Sequence, residues 1–203
     1  MAGTRTRRGA GSEQSRTARA AALAEELHHE CTLLLDLYRK KETFAEELTV
    51  GGESLVTVPP LSSQLSPNDM LWRLYSALQQ CRNLLERAIG REEAVGNGGD
   101  RAQYENQKKT VRDRLGHLLA STRLLLEDGA GTAAFTPEPK NSEIDYPGNG
   151  SPFALKLWIY RIFNELEHWT LTASKTLKAL HPDGATPKER RTRGRARGRR
   201  TRR

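Results

Sequence analysis

Residues 151–180, SPFALKLWIYRIFNELEHWTLTASKTLKAL, decide the fold class of this chain. Apolar residues recur in this stretch at steps of three and four, close to the roughly 3.6 residues of a helical turn. Ser151 is a suitable N-cap, and Pro152 suits the first helical position, where a missing N–H costs nothing. The stretch therefore predicts a long amphipathic helix. Its apolar stripe consists of Leu155, Trp158, Ile162, Leu166, Trp169, Ala173, Leu177 and Leu180.

Two aromatic residues of this helix lie off the apolar stripe. At about 100 degrees per residue, Phe153 and Tyr160 point well away from the mean direction of the stripe, and Lys156 lies on its flank. An aromatic side chain on the face opposite the core favours a recognition surface. The alternative for Phe153 is a hydrophobic cover that folds back over the preceding loop.

The same periodicity predicts three further helices, and strand patterns are nearly absent, so the chain is expected to be all-α. A helix of about 25 residues is roughly 37 Å long, and an extended chain covers at most about 3.6 Å per residue. The connection between the second and third helices is too short to return along the bundle, whereas the other two connections are long enough. This predicts an up-up-down-down long-chain four-helix bundle with two long crossover loops. The expected helices are A 16–48, B 69–95, C 100–128 and D 152–180.

The positive charge of the chain is concentrated at its ends. Residues 188–203 contain nine arginines and one lysine against one glutamate. Their net charge of +9 exceeds the formal net charge of +8 of the whole chain. Both ends have almost no large apolar residues, so we expect disordered basic tails at 1–15 and 181–203 on either side of a bundle domain at 16–180. No apolar signal region follows the first arginines, which predicts a cytoplasmic protein; if it works outside cells, it reaches the extracellular space by a route independent of a signal peptide.

The arginine-rich end predicts electrostatic attraction to a polyanion such as heparan sulfate, RNA or DNA. It contains no aromatic residues for stacking on bases, so sequence-specific recognition is not expected. A nucleic-acid-binding or polyanion-binding protein is therefore the alternative function, against a tail that only aids solubility. The residues that would carry it are Arg190, Arg191, Arg193, Arg195, Arg197, Arg199, Arg200, Arg202 and Arg203.

Signals for catalysis are weak. Glutamate and histidine stand three residues apart in Glu165-x-x-His168 and also at Glu25/His28 and Glu26/His29, a spacing that di-iron bundles use. These pairs are not centred on the apolar stripes, and no inward carboxylate is predicted on the second or third helix. We therefore expect solvated charges, no metal, no cofactor and no enzyme activity. Cys31 and Cys81 lie on apolar stripes, where a free cysteine behaves as a small hydrophobic residue.

The segment Phe153-Ala154-Leu155-Lys156-Leu157-Trp158, with Glu165-Leu166 and Trp169-Thr170 after it, resembles the last helix of the ciliary neurotrophic factor group within the interleukin-6-type long-chain cytokine family. Leu-Asp-Leu-Tyr-Arg-Lys-Lys at 35–41 is similar in pattern to the end of the first helix of that family. The resemblance implies a cytokine with neurotrophic activity. It would bind a ciliary neurotrophic factor receptor α-type chain and then assemble glycoprotein 130 with the leukaemia inhibitory factor receptor, which activates JAK kinases and STAT factors.

The resemblance also implies where the receptors bind. An exposed Phe-x-x-Lys at the start of the last helix docks the leukaemia inhibitory factor receptor in that family, and Phe153 and Lys156 match it. Lys178 matches a basic position of the α-receptor surface. Thr172 stands where the family has an arginine and Leu65 where it has a tryptophan, so the identity of the α-receptor is left open. For glycoprotein 130, the resemblance implies faces of helices A and C without single residues.

Overall fold

The computed structural model describes the parts of the chain that form the helices and much of the first long connection. Within these residues the protein is all-helical, with four helices and no strand. The helices are α1 Arg7–Glu42, α2 Pro67–Val95, α3 Ala102–Gly129 and α4 Pro152–Leu180. The structure describes residues 7–45, 50–51, 53–62, 64–95, 102–129 and 151–180; at 7–15, 95, 128 and 129 it describes the backbone alone.

The predicted apolar stripes form a single core between the helices. Each helix contributes side chains that are almost completely buried, which confirms the periodicity as the signal that positions these elements. α4 spans the predicted residues, and α2 and α3 differ from the prediction by two residues or fewer at each end. The largest fully buried side chains are Tyr38, Tyr160, Phe163, Leu27, Leu34, Leu74, Leu78, Leu85, Leu115, Leu118, Ile159 and Ile162.

α1 differs from its prediction at both ends. The sequence predicted a helix over 16–48 after a disordered tail, but α1 runs from Arg7 to Glu42. At the N-terminal end the prediction is wrong because lengthening an existing helix needs no new nucleation, so a polar segment can continue it. The predicted tail at 181–203 lies outside the described residues.

The C-terminal end of α1 is a Schellman motif without glycine. The N–H of Thr43 donates to the carbonyl of Lys40 at 3.4 Å, and the N–H of Phe44 donates to the carbonyl of Arg39 at 3.0 Å. Thr43 has a φ of 54°, the left-handed conformation that ends a helix in this motif. No local pattern predicted this end, because the residue at the left-handed position is usually glycine.

Replacing Thr43 with glycine is expected to raise the free energy of unfolding by about 0.5–1 kcal/mol. A β-branched residue is strained at positive φ, and glycine removes that strain, although it adds some entropy to the unfolded chain. Urea denaturation followed by circular dichroism measures the change. Thr110→Gly in the middle of α3 is the opposite control and should destabilise the protein, because glycine weakens a helix interior.

Each of the four helices packs mainly against two others. α1 lies against α4 and α3, and α2 lies against the same two helices. Near the end of α1, Arg39 donates to the hydroxyl of Tyr160 in α4 at 2.8 Å, while Lys178 at the far end of α4 is 2.8 Å from Glu25. The start of α4 therefore lies beside the end of α1.

Residues 53–60 of the first connection lie across α4 and α2. The carboxylate of Glu165 in α4 accepts a hydrogen bond from the backbone N–H of Leu55 at 2.9 Å. The side-chain oxygen of Gln80 in α2 accepts one from the backbone N–H of Thr57 at 2.9 Å. Because Leu55 is also buried, both polar and apolar contacts attach this segment to the bundle.

Candidate docking site at the start of α4

The first turn of α4 carries the most exposed large hydrophobic side chain of the described residues. Phe153 is 61% exposed, as its position off the apolar stripe predicted. The N–H of Leu155 donates to the carbonyl of Ser151 at 3.2 Å, so the backbone beneath Phe153 is already helical. The phenyl ring therefore stands on a rigid element and faces solvent.

Tyr160 does not share this exposure, although the sequence predicted that it would. It is 1% exposed because the end of α1 and the residues after it cover this part of α4. Arg39 donates to the Tyr160 hydroxyl, and the ring of Phe44 meets the Tyr160 ring edge-on with centroids 5.5 Å apart. The prediction of an exposed aromatic on this face is thus correct at Phe153 and wrong at Tyr160.

Lys156 lies one turn after Phe153 and is anchored to α1. Its ammonium is 2.6 Å from a carboxylate oxygen of Glu42, and the side chain of Lys156 is 39% exposed whereas that of Glu42 is only 5% exposed. The hydroxyl of Tyr38 also donates to the backbone carbonyl of Lys156 at 3.1 Å. Lys156 thus has a partner within the protein as well as a surface open to solvent.

Beneath this site lies a group of largely buried charges that we call the ionic cluster: Lys41 and Glu42 of α1, Glu92 of α2 and Lys108 of α3. Glu92 is at its centre, 2.5 Å from the ammonium of Lys41 and 2.9 Å from that of Lys108. Lys41 is also 3.4 Å from Glu42. Through the bond from Glu42 to Lys156, the cluster joins the ends of all four helices.

Tyr104 completes the surroundings of Glu92. Its hydroxyl donates to the carboxylate at 2.8 Å, and both ammonium groups lie over its ring, that of Lys41 at 4.5 Å and that of Lys108 at 4.7 Å from the centroid. Burial by itself would raise the pKa of Glu92, but the hydrogen bonds and charges of the two lysines outweigh it and lower the pKa below 4.5. Burial, with Glu92 beside it, raises the pKa of Tyr104, so this phenol remains protonated.

Sequence reasoning missed the ionic cluster, although a signal for it was present. Lys41, Glu92 and Lys108 follow Tyr38, Ala88 and Tyr104 by one helical turn, so they stand on the apolar stripes. A charged residue at a stripe position indicates a buried partner of opposite sign. The expectation of no inward carboxylate on the second helix was wrong, since the side chain of Glu92 is 10% exposed.

Lys178 lies at the other end of α4. It is 25 residues from Phe153, about 37 Å along the helix, and it forms an exposed ion pair with Glu25 at 2.8 Å. The structure thus brings Phe153 and Lys156 together and keeps Lys178 apart from them. The nine arginines predicted to bind a polyanion lie outside the described residues.

Several of the glutamates weighed for chemistry form structural contacts in the described part of the chain: Glu25 pairs with Lys178, and Glu26 pairs with Arg114. Glu165 binds the first connection, and among the described residues no three histidine, cysteine or acidic side chains are grouped as metal ligands would be. Cys31 and Cys81 are free and buried, and burial raises the pKa of Cys31 to about 12, so this thiol is a poor nucleophile at neutral pH.

Comparisons of the chain with protein-family models, with curated proteins and with solved structures found no match. None of the helices in the described ranges combines the length and the apolar character that crossing a membrane requires.

Proposed function

We propose that this protein is a cytokine of the interleukin-6 type, which uses the start of α4 to dock the leukaemia inhibitory factor receptor. The observation that carries the proposal is the exposure of Phe153 on the first turn of α4, beside Lys156. The full activity would be to bind an α-receptor, to assemble glycoprotein 130 with the leukaemia inhibitory factor receptor, and to activate JAK kinases and STAT factors. The protein would act by binding alone, without catalysis.

The topology of this cytokine family belongs to the same proposal. We infer an up-up-down-down bundle with two long crossover loops. In support, the contact of Arg39 with Tyr160 and that of Glu25 with Lys178 fit antiparallel α1 and α4. The first connection would run back along the bundle towards the start of α2, where Arg73 donates to the carbonyl of Pro60 at 3.2 Å.

The chemistry of the site suits a receptor anchor. Burying a phenylalanine side chain that is largely exposed yields about 1.5–3 kcal/mol, and a residue on the first turn of a packed helix loses little freedom when it binds. Residues of this kind at the centre of an interface carry much of its binding energy. Lys178, at the opposite end of α4, would contribute to the separate α-receptor surface, and glycoprotein 130 would contact α1 and α3.

Phe153→Ala is expected to weaken binding of the leukaemia inhibitory factor receptor ectodomain by about 30-fold or more, because it removes the phenyl ring that would fill a pocket of the receptor. Binding is measured on the full chain in the presence of the α-receptor. Leu124→Ala is the matched control, since Leu124 is 53% exposed on α3, far from this site, and its truncation should leave this affinity unchanged. Equal affinities of Phe153→Ala and the wild type would refute the proposal.

The alternative function rests on the composition of the arginine-rich end. A protein that acts through this segment would bind heparin or RNA with an affinity that falls steeply as salt rises. A chain that ends at Ala185 would lose this binding, whereas Phe153→Ala would keep it. If only the truncation affects activity on responsive cells, the bundle is a carrier for a polyanion-binding segment and the cytokine proposal fails.

A further inference from the structure

Glu42 occupies an unusual position for an acidic residue. It is the last residue of α1, its side chain is almost completely buried, and its carboxylate faces the ammonium of Lys156 at 2.6 Å. The left-handed turn at Thr43 fixes the backbone immediately after it, and Lys41 links it to Glu92 within the ionic cluster. Glu42 is therefore a fixed acceptor under a lysine that reaches the surface.

The bond to Glu42 determines where the charge of Lys156 can lie. A lysine side chain without a partner samples many rotamers, and ordering it in an interface costs binding free energy. With its ammonium held against α1, the side chain of Lys156 is restrained beside Phe153, one turn away on α4. An ammonium has three N–H donors, so the bond to Glu42 leaves others for a carbonyl or carboxylate of a partner.

We propose that Glu42 is a positioning residue of the docking site, which holds the ammonium of Lys156 beside Phe153 before the receptor binds. This inference rests on the proposed function. Glu42 itself does not reach the partner. It acts on binding only through Lys156, and this distinguishes it from a residue that merely stabilises the bundle.

A double-mutant cycle on the full chain tests this role, with affinity for the leukaemia inhibitory factor receptor ectodomain measured in the presence of the α-receptor. Glu42→Gln is expected to weaken binding about 3- to 10-fold, because Lys156 must then be ordered on binding. Lys156→Met should weaken binding at least as much. Adding Glu42→Gln to Lys156→Met should have no further effect, since nothing remains to be positioned.

Glu30→Gln is the matched control. Glu30 is also on α1, and its carboxylate is 3.5 Å from Arg114 and 2.6 Å from the side-chain nitrogen of Gln107, both on α3. The same substitution there removes an ion pair between helices far from Phe153 and should leave the affinity unchanged. Thermal unfolding of every variant establishes that each is folded at the temperature of the binding measurement. If Glu42→Gln is not folded there, Glu42→Asp, which retains the charge but withdraws it from Lys156, is judged by the same criteria.

The outcomes separate this inference from the proposed function. If Phe153→Ala abolishes binding while Glu42→Gln binds like the wild type, the docking site stands and the positioning role is refuted. Glu42→Gln could also weaken binding by the same factor whether residue 156 is lysine or methionine. Glu42 would then act through general stability, and the inference is again refuted. If Phe153→Ala binds normally, the proposed function has failed first.

Discussion

Glu92→Gln is expected to lower the free energy of unfolding by about 3–5 kcal/mol. The substitution keeps the shape of the side chain but removes the negative charge between Lys41 and Lys108. Both lysine side chains are largely buried. Without Glu92, among the described residues the ammonium of Lys41 keeps only Glu42 at 3.4 Å and that of Lys108 keeps only the exposed Glu105 at 3.0 Å. The loss therefore reflects two buried positive charges that are only partly compensated, which costs far more than the loss of a surface ion pair.

Urea denaturation followed by circular dichroism measures this loss. Glu86→Gln is the control, because Glu86 is exposed on the same helix and its substitution should change the stability by no more than about 0.5 kcal/mol. A loss of less than about 1 kcal/mol for Glu92→Gln would mean that water or other groups compensate the lysines. The ionic cluster would then not secure the ends of the helices.

The pH dependence of stability in the wild type and in Glu92→Gln gives an independent check on the role of Glu92. The pKa of Glu92 in the folded protein lies below its ordinary value of 4.5, so the unfolded chain takes up this proton first as the pH falls. The stabilisation by Glu92 is therefore fully present above about pH 5 and is lost as the pH falls below 4.5 through the folded pKa. The difference in stability between wild type and Glu92→Gln should follow this course and shrink in acid. A difference that stays constant down to about pH 3 would contradict it.

Phe163→Ala is expected to cost about 3–5 kcal/mol, whereas Phe153→Ala on the same helix should change the free energy of unfolding by less than about 0.5 kcal/mol. The side chain of Phe163 is fully buried and its ring meets that of Tyr38 edge-on at 5.1 Å between centroids. Truncation leaves a cavity and removes this contact. Phe153 is mostly exposed, so its truncation removes little packing within the protein.

The two phenylalanine variants should thus separate stability from binding. Thermal and urea unfolding of both variants measure the first property, and receptor affinity measures the second. Phe153→Ala should bind weakly while it unfolds like the wild type. If it loses as much stability as Phe163→Ala, its ring packs against the protein in solution and does not serve as a free anchor.

This separation also affects how Lys156 should be tested. Truncating Lys156 removes a partner of the nearly buried Glu42, so a combined change of Phe153 and Lys156 mixes lost stability with lost binding. Single substitutions assign the lost binding to each residue, and the unfolding of Lys156→Met measures how much stability is lost when Glu42 loses this partner. The ionic cluster thereby links the stability of this end of the bundle to the geometry of the candidate docking site.

The sequence alone determined how many helices this protein has and which faces of them are apolar, although it misplaced both ends of α1. The spacing of apolar residues located four helices, and the cap at Ser151 with Pro152 located the start of α4, because these signals are local to each segment. The position of Phe153 off the stripe also predicted its exposure correctly. Each of these signals depends only on the geometry of one helix, in which the number of residues per turn determines which side chains share a face.

Only the tertiary structure decided how the faces of these helices are used. Tyr160 and Phe153 share a helical face, yet the segment after α1 buries one and leaves the other exposed. A helical wheel describes one helix and contains nothing about what a neighbouring segment covers. In the same way, the bond from Glu42 to Lys156 and the charges around Glu92 join residues far apart in the chain. Their partners were set by the packing of four helix ends at one place, which no local pattern encodes.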